Sequence, residues 1–223
     1  MDFEVIRGLF GIDGDCGFTD AALEPVIARF GGVPAVLRDY YQRLGAHSEL
    51  NQTQECLVVP DGSDAGHYHF SRYSDADGYL VFYVENQEVW LAAVAAADAA
   101  LADPSVWQTY PISRDDYGQW HDTGCRVSQF LAGMAHVQRA FSIERSSEGF
   151  WELTPDQAQR VRHRYPSLGV DLDLYGGISF HARDAHEIIM LTSSADGGPV
   201  ALFGADDEDR YGELEDDLAD IMG

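Results

Sequence analysis

Between Gly78 and Val94 the chain reads GYLVFYVENQEVWLAAV, two apolar runs separated by one polar triplet. Leu80 to Val84 form the first run. Val89, Trp90, Leu91 and Val94, with the alanines between, form the second. β-Branched and aromatic enrichment bounded by Gly and Asn predicts strands. The near absence of alternation predicts a hairpin covered on both faces. Glu85, Asn86 and Gln87 interrupt the run, and buried polar groups are costly unless hydrogen-bonded. They are therefore read as a structural turn whose side chains bond the neighbouring backbone.

Helical periods lie on both sides of this hairpin. Residues 1–18 carry glycines at 8, 11, 14 and 17 and read as irregular. Thr19 is placed to cap a helix through Ala21, Leu23, Val26, Ile27 and Phe30, ended by Gly31-Gly32. Pro34 suits a first helical position, and Val36, Leu37, Tyr40, Tyr41 and Leu44 follow with a 3.6-residue period. Cys56 to Val59 reads as a short strand stopped by Pro60, and His67 to Tyr73 as another. Ala92 to Ala102 is open to a helical reading that Asp103-Pro104 would break. Val106 to Ile112 is a further strand candidate. Val127, Phe130, Leu131, Met134, Val137, Gln138 and Phe141 mark one face of a helix.

Beyond Gly149 a helix is expected from Pro155 to Tyr165, capped by Thr154. Strands are expected at 177–182, 187–192 and 199–203. From Asp206 to Met222 nine acidic residues face one Arg, and Tyr211, Leu214, Leu218 and Ile221 recur at three- and four-residue steps. That spacing predicts an amphipathic helix docked on the preceding sheet. The expected fold is α+β. A central, mainly antiparallel sheet with N-terminal helices packed on it takes residues 1–148. A strand-strand-strand-helix extension takes 149–223, packed on the same core and ending in the acidic helix.

Charge changes the picture more than composition does. The 223 residues include 38 acidic and 14 basic ones, for a net charge of −24. Nucleic-acid and anionic-membrane binding need clustered Lys and Arg, so neither is expected. Fast association with a cationic partner is. The longest apolar run is far short of a membrane span. The N-terminus lacks a cationic segment followed by an apolar run, so no signal peptide is expected and a cytoplasmic location is. Cys16, Cys56 and Cys125, odd in number and widely spaced, give neither a disulfide framework nor a zinc signature.

Candidate chemistry is sparse. Asp13, Asp15 and Glu24 stand at positions 1, 3 and 12 of a calcium-loop spacing, but Gly17 and Phe18 fill positions that need a ligand and a glycine. His67 and His69 would share one face of a strand, with no third metal ligand evident. His181 and His186 flank a turn without metal-site spacing. Asp115, Asp116 and His121 could be drawn as an acid–base set, a coincidence expected in so acidic a chain. No nucleophile elbow, phosphate-binding loop or dinucleotide fingerprint is present. No catalytic residue, metal or cofactor is expected.

Several segments together resemble the SUKH (SMI1/KNR4) superfamily. They are Pro34-Ala-Val-Leu-Arg-Asp-Tyr-Tyr-Gln-Arg-Leu-Gly45, Leu50-Asn-Gln-Thr-Gln54 leading into Leu57 to Pro60, and Asp103-Pro104-Ser105-Val106. The helix start Val127-Ser-Gln-Phe-Leu131 is another. The most specific is Gly78-Tyr-Leu-Val-Phe-Tyr-Val-Glu-Asn-Gln87 with Val89 and Trp90. Ala92-Ala93 departs from the Trp-Gly pair many relatives carry there. The likeness covers about residues 20–141, and the C-terminal part resembles an extension of bacterial members. The resemblance implies a non-enzymatic protein. Bacterial members commonly bind and neutralise a cognate toxin, often a nuclease, as immunity proteins; fungal members act as scaffolds, which is the alternative reading. A metal-binding enzyme is a remoter one. An inhibitor carrying −24 would be steered onto a cationic toxin. Asp206, Asp207 and Asp209, and Asp61, Asp64, Asp75 and Asp77, are the expected partner-binding residues.

Overall fold

The computed structural model describes residues 3–74, 76, 78–113, 116–174 and 176–223. The protein is α+β, with helices packed on antiparallel sheets. Its chain forms two compact units, Met1–Gln138 and Arg139–Gly223.

Four helices lead into the first sheet: α1 (Phe3–Phe10), α2 (Asp20–Phe30), α3 (Ala35–Arg43) and α4 (Ser48–Gln52). The sheet itself is a five-stranded antiparallel meander. Its strands are β1 (Glu55–Leu57), β2 (Tyr79–Glu85), β3 (Leu91–Ala95), β4 (Ser105–Thr109) and β5 (His121–Arg126). Residues 80–84 of β2 are all buried, so the apolar run is covered on both faces. One cover is α5 (Val127–Ser142), within which the two units divide. Phe82, Tyr83 and Trp90 stand edge-on to the Phe130 ring, with centroids 5.5, 5.5 and 6.3 Å away. Such contacts contribute about 0.5–1.5 kcal/mol each beyond area burial.

Gln138 lies on the same apolar helix face and is fully buried. Its Oε1 accepts from the Gln54 N–H at 2.7 Å, and its Nε2 donates to the Tyr83 hydroxyl at 2.9 Å and to the Glu55 carbonyl. One amide thus satisfies the end of β1 and a buried phenol, which explains a polar residue at a core position.

Three local expectations fail for identifiable reasons. Residues 3–10 are helical, with Ile6 buried, where irregular chain was expected. Gly8 faces open space there, and a single helix glycine costs only about 1 kcal/mol. Gly17 carries the irregularity instead. The Cys16 and Phe18 N–H groups donate to the Arg43 and Tyr41 carbonyls at 2.8 Å each. A Cβ on Gly17 would sit 2.2 Å from that backbone. His67–Tyr73 is not a strand: His69 makes one bridge to Val59, then Phe70–Tyr73 turns as a 3-10 helix. Ala92–Ala102 is not a helix. Pairing to β2 and β4 holds Leu91–Ala95 extended, overriding alanine's helix preference.

The second unit has its own sheet. Its elements are β6 (Arg145–Ser146), β7 (Trp151–Glu152), α6 (Pro155–Arg164), β8 (Ser167–Leu172), β9 (Ile178–His181), β10 (Glu187–Ser193), β11 (Pro199–Ala205) and α7 (Glu208–Met222). The strand order is β6-β11-β10-β9-β8, with β7 also on β11. The three strands expected from sequence are β9 to β11. The additional ones are two-residue pairings or, for β8, a mostly exposed strand with Gly169 at φ 70°. Thr154 and Gln157 form a reciprocal capping box at the start of α6. Val161 and Tyr165, from α6 and the residue after it, meet Leu214, Leu218 and Ile221 of α7 and Ile189 and Phe203 of the sheet in one core.

Candidate protein-binding surface

Two carboxylates just before α7 are already employed. Asp206 pairs with the Arg139 guanidinium, and its Oδ2 lies 2.9 Å from His186 Nδ1. Asp207 is extended (φ −145°), and its side chain accepts from the Arg210 N–H at 2.9 Å. That is a helix N-cap, contributing about 1 kcal/mol. Asp209, the third residue singled out from sequence, is exposed and starts a different feature.

Asp209, Glu213, Asp216 and Asp220 stand at i, i+4, i+7 and i+11, one face of an α-helix. All four are exposed, opposite buried Leu214, Leu218 and Ile221. Among the described residues none of the four pairs with a cation. Their neighbours do: Glu208 meets Arg145 at 2.7 Å, and Asp217 accepts from Arg164 and from the Tyr165 hydroxyl. The Arg164 hydrogen bond holds the Asp217 carboxyl below the usual carboxylate range.

The chain contains no lysine, so all 14 of its basic residues are arginines. Seven arginines lie in the second unit, and six of them bind a carboxylate of that unit. The seventh, Arg162, pairs with none of the stripe carboxylates, so among the described residues the stripe has no paired counter-charge. Its far end also runs against the helix's own electrostatics: Asp209 lies in the favourable first turn, but Asp220 lies in the last. Anions favour an N-terminus and disfavour a C-terminus, by about 0.3–1 kcal/mol each. α7 nevertheless carries Asp216, Asp217 and Asp220 in its second half and no basic residue in its last turn.

Glu213, Asp216 and Asp220 were missed as individual residues. Their signal was available: they occupy the helix side opposite the apolar positions used to predict α7.

The acidic residues of the first unit are divided differently. Asp61 accepts from the Ser71 N–H at 3.1 Å and so fixes its own loop, while Asp64 is exposed. Asp75 and Asp77 lie outside the described residues. At the β2–β3 turn, Glu85 Oε2 accepts from the Gln87 and Val89 N–H groups at 2.8 and 2.9 Å. The Asn86 N–H donates to Glu55 Oε2 at 3.0 Å, and the Asn86 carbonyl accepts from the Tyr68 hydroxyl at 2.8 Å. Gln87 is exposed at the tip. Glu88 follows in the left-handed region at φ 60°, where its carboxylate receives Arg72 and the Tyr73 hydroxyl. Arg72, Tyr73, Gln87, Glu88 and Tyr117 border a cavity of about 270 Å³ floored by Leu91.

The remaining candidates separate. Glu24 is inside α2, and Asp15 pairs with Arg7, so the calcium-loop spacing does not fold as a loop. His69 Nδ1 lies 3.1 Å from the Pro60 carbonyl, and His67 is exposed. His181 is buried between the Tyr165 carbonyl and Ser179, and burial lowers its pKa. Asp116 accepts from the Gly118 N–H in a turn, and Asp115 lies outside the described residues. Burial raises all three thiols, Cys56 and Cys125 to about 11. Among the described residues no group of three His, Cys, Asp or Glu side chains could hold a metal ion, and no helix is long and apolar enough to cross a membrane.

No protein-family model matches the chain, and no curated protein or solved structure matches it either.

Proposed function

We propose that the protein is an immunity protein of SUKH type, which binds a cognate basic toxin domain one to one and neutralises it in the producing cell. The observation that carries this reading is the outer face of α7. Four exposed carboxylates stand there unpaired among the described residues, one of them, Asp220, in the last turn where the dipole disfavours it. Departures from local preference without a structural return mark functional sites. A basic partner supplies the missing return.

The chain's net charge of −24 supports the same partner. A toxin that grips nucleic-acid phosphates must itself present a cationic surface. An acidic inhibitor is steered to that surface and can occupy the substrate's place, with on-rates far above the unsteered range at low salt. The sequence resemblance between residues 20 and 141 supports a non-enzymatic role in the cytoplasm.

The test is co-expression. Cells carrying the toxin encoded beside this gene should grow when the protein is present, and the purified pair should co-elute. A neighbouring toxin that is neither bound nor tolerated refutes the reading.

A further inference from the structure

Beside the stripe, the first two turns of α7 and the β6–β7 segment enclose a groove of about 450 Å³. Its walls are Trp151 and Tyr211. Its charges are Glu148, Glu208 and Glu215 against the single guanidinium of Arg145. Arg145 is held by Glu208, with Nε 2.7 Å from Oε2. Glu215 accepts from the Tyr211 hydroxyl at 3.2 Å, and burial and then the Glu215 charge raise that phenol to about 12. Glu148 is exposed at the rim, and among the described residues no cation neutralises it.

The aromatic walls are fixed from behind. Phe203 meets Trp151 edge-to-face at 4.7 Å and stacks on Tyr211 at 5.8 Å with planes 14° apart. Both rings are only half-buried, so each keeps an open side toward the groove. Behind them, β11 approaches β6 closely. A Cβ on Gly204 would sit 2.3 Å from Ile143 and 2.5 Å from the Arg145 carbonyl. The backbone carrying Arg145, one of the groove's lining residues, is therefore closely packed on β11.

We infer that this groove takes an arginine side chain of a basic protein partner, its guanidinium between the Trp151 and Tyr211 walls and its charge met by Glu148 and Glu215. Two independent features point to that chemistry. A guanidinium stacks on aromatic faces and bonds carboxylates bidentately, which an ammonium does less well. The three carboxylates exceed the one resident cation, leaving room for a second positive charge. The groove adjoins the stripe on α7: Glu208, Tyr211 and Glu215 border one, and Asp209, Glu213 and Asp216 the other. The inference deepens the immunity reading by naming what the partner inserts, and it rests on that reading for the partner's identity.

The test separates the two. The full chain is titrated with a blocked tri-arginine peptide and with its neutral tri-citrulline counterpart, following the indole N–H signals by NMR. Four tryptophans give four such signals, and Trp151→Phe identifies the one from Trp151. The expected result is a saturable shift at Trp151 with tri-arginine, absent with tri-citrulline and weakened at least fivefold in Glu148→Gln/Glu215→Gln. Both substitutions are conservative, and circular dichroism checks that the fold is intact. Equal shifts with both peptides, or a non-saturating shift spread over the acidic surface, overturn the groove. So does self-association of the chain that fills it. A toxin that binds the Glu148→Gln/Glu215→Gln variant as tightly as wild type overturns the groove while leaving the immunity reading intact. A groove that binds tri-arginine in a protein no toxin recognises does the reverse.

Discussion

Tyr211 stacks on Phe203, with ring centroids 5.8 Å apart and planes 14° from parallel. Phe203 is fully buried at the centre of the second unit's core, and Tyr211 is the ring that faces the acidic groove. A surface residue of α7 is thereby rooted in the core. Tyr211→Phe keeps the stack and loses only the hydroxyl bond to Glu215, so stability should change by less than about 0.5 kcal/mol. Tyr211→Ala should cost about 2–3 kcal/mol. Urea denaturation of both variants checks the pair.

Neutralising Asp209, Glu213, Asp216 and Asp220 together, as Asn or Gln, should separate binding from folding. Removing like charges at i, i+4 spacing and Asp220 from the helix C-terminus should offset the loss of Asp209 from the favourable first turn, leaving stability unchanged to within about 1 kcal/mol. Association with a basic partner at low salt should slow by about tenfold, and its salt dependence should flatten. Stopped-flow kinetics across ionic strength would read both effects. A destabilised variant would show that the stripe serves the fold.

Asp217 tests the inner side of the same helix. Its carboxyl is held below the ordinary aspartate value of 3.8 by Arg164 and Tyr165. A carboxylate with a depressed folded-state pKa stabilises fully above its unfolded pKa and loses that contribution as pH falls through the folded value. Asp217→Asn should therefore cost about 1–2 kcal/mol at neutral pH. The difference from wild type should shrink as pH falls below 3.8. Thermal melts of the two proteins from pH 7 to pH 3 would follow it.

In the first unit, Gln138→Ala removes the buried partner of the Gln54 N–H, the Glu55 carbonyl and the Tyr83 hydroxyl. Stranding buried polar groups costs about 1–3 kcal/mol apiece, with the cavity added. A loss of about 3–4 kcal/mol in chemical denaturation is expected. Gln138→Glu should also fail to restore wild-type stability, because a carboxylate cannot donate to the Tyr83 oxygen or the Glu55 carbonyl.

The elements legible in the sequence are those whose burial is periodic. α5, α6 and α7 each bury a face that repeats at three to four residues, and β2 is a continuous apolar run buried on both faces. β5 reads HDTGCR, an exposed edge strand with a left-handed glycine and no apolar run; β8 reads SLGVDL, whose Leu168, Val170 and Leu172 alternate, but it is a short, mostly exposed edge strand broken by the left-handed Gly169. α1 was hidden by Gly8, whose cost is small where its surroundings are open. The candidate surface was legible as charge and not as geometry. Among Asp206, Asp207 and Asp209, only the three-dimensional fold separates an ion pair, a helix cap and a free carboxylate. The groove could not be read at all, since Trp151 and Tyr211 are 60 residues apart in sequence and are brought together by packing on Phe203.

The central claim is that the acidic face of α7 receives a cationic toxin domain. Binding kinetics between the full chain and the toxin encoded beside its gene, for wild type and the Asp209/Glu213/Asp216/Asp220 variant, test it most directly. The account predicts a one-to-one complex whose on-rate falls steeply with salt in the wild type and only weakly in the variant. No complex, or a complex whose on-rate is the same in both proteins at every ionic strength, would contradict it.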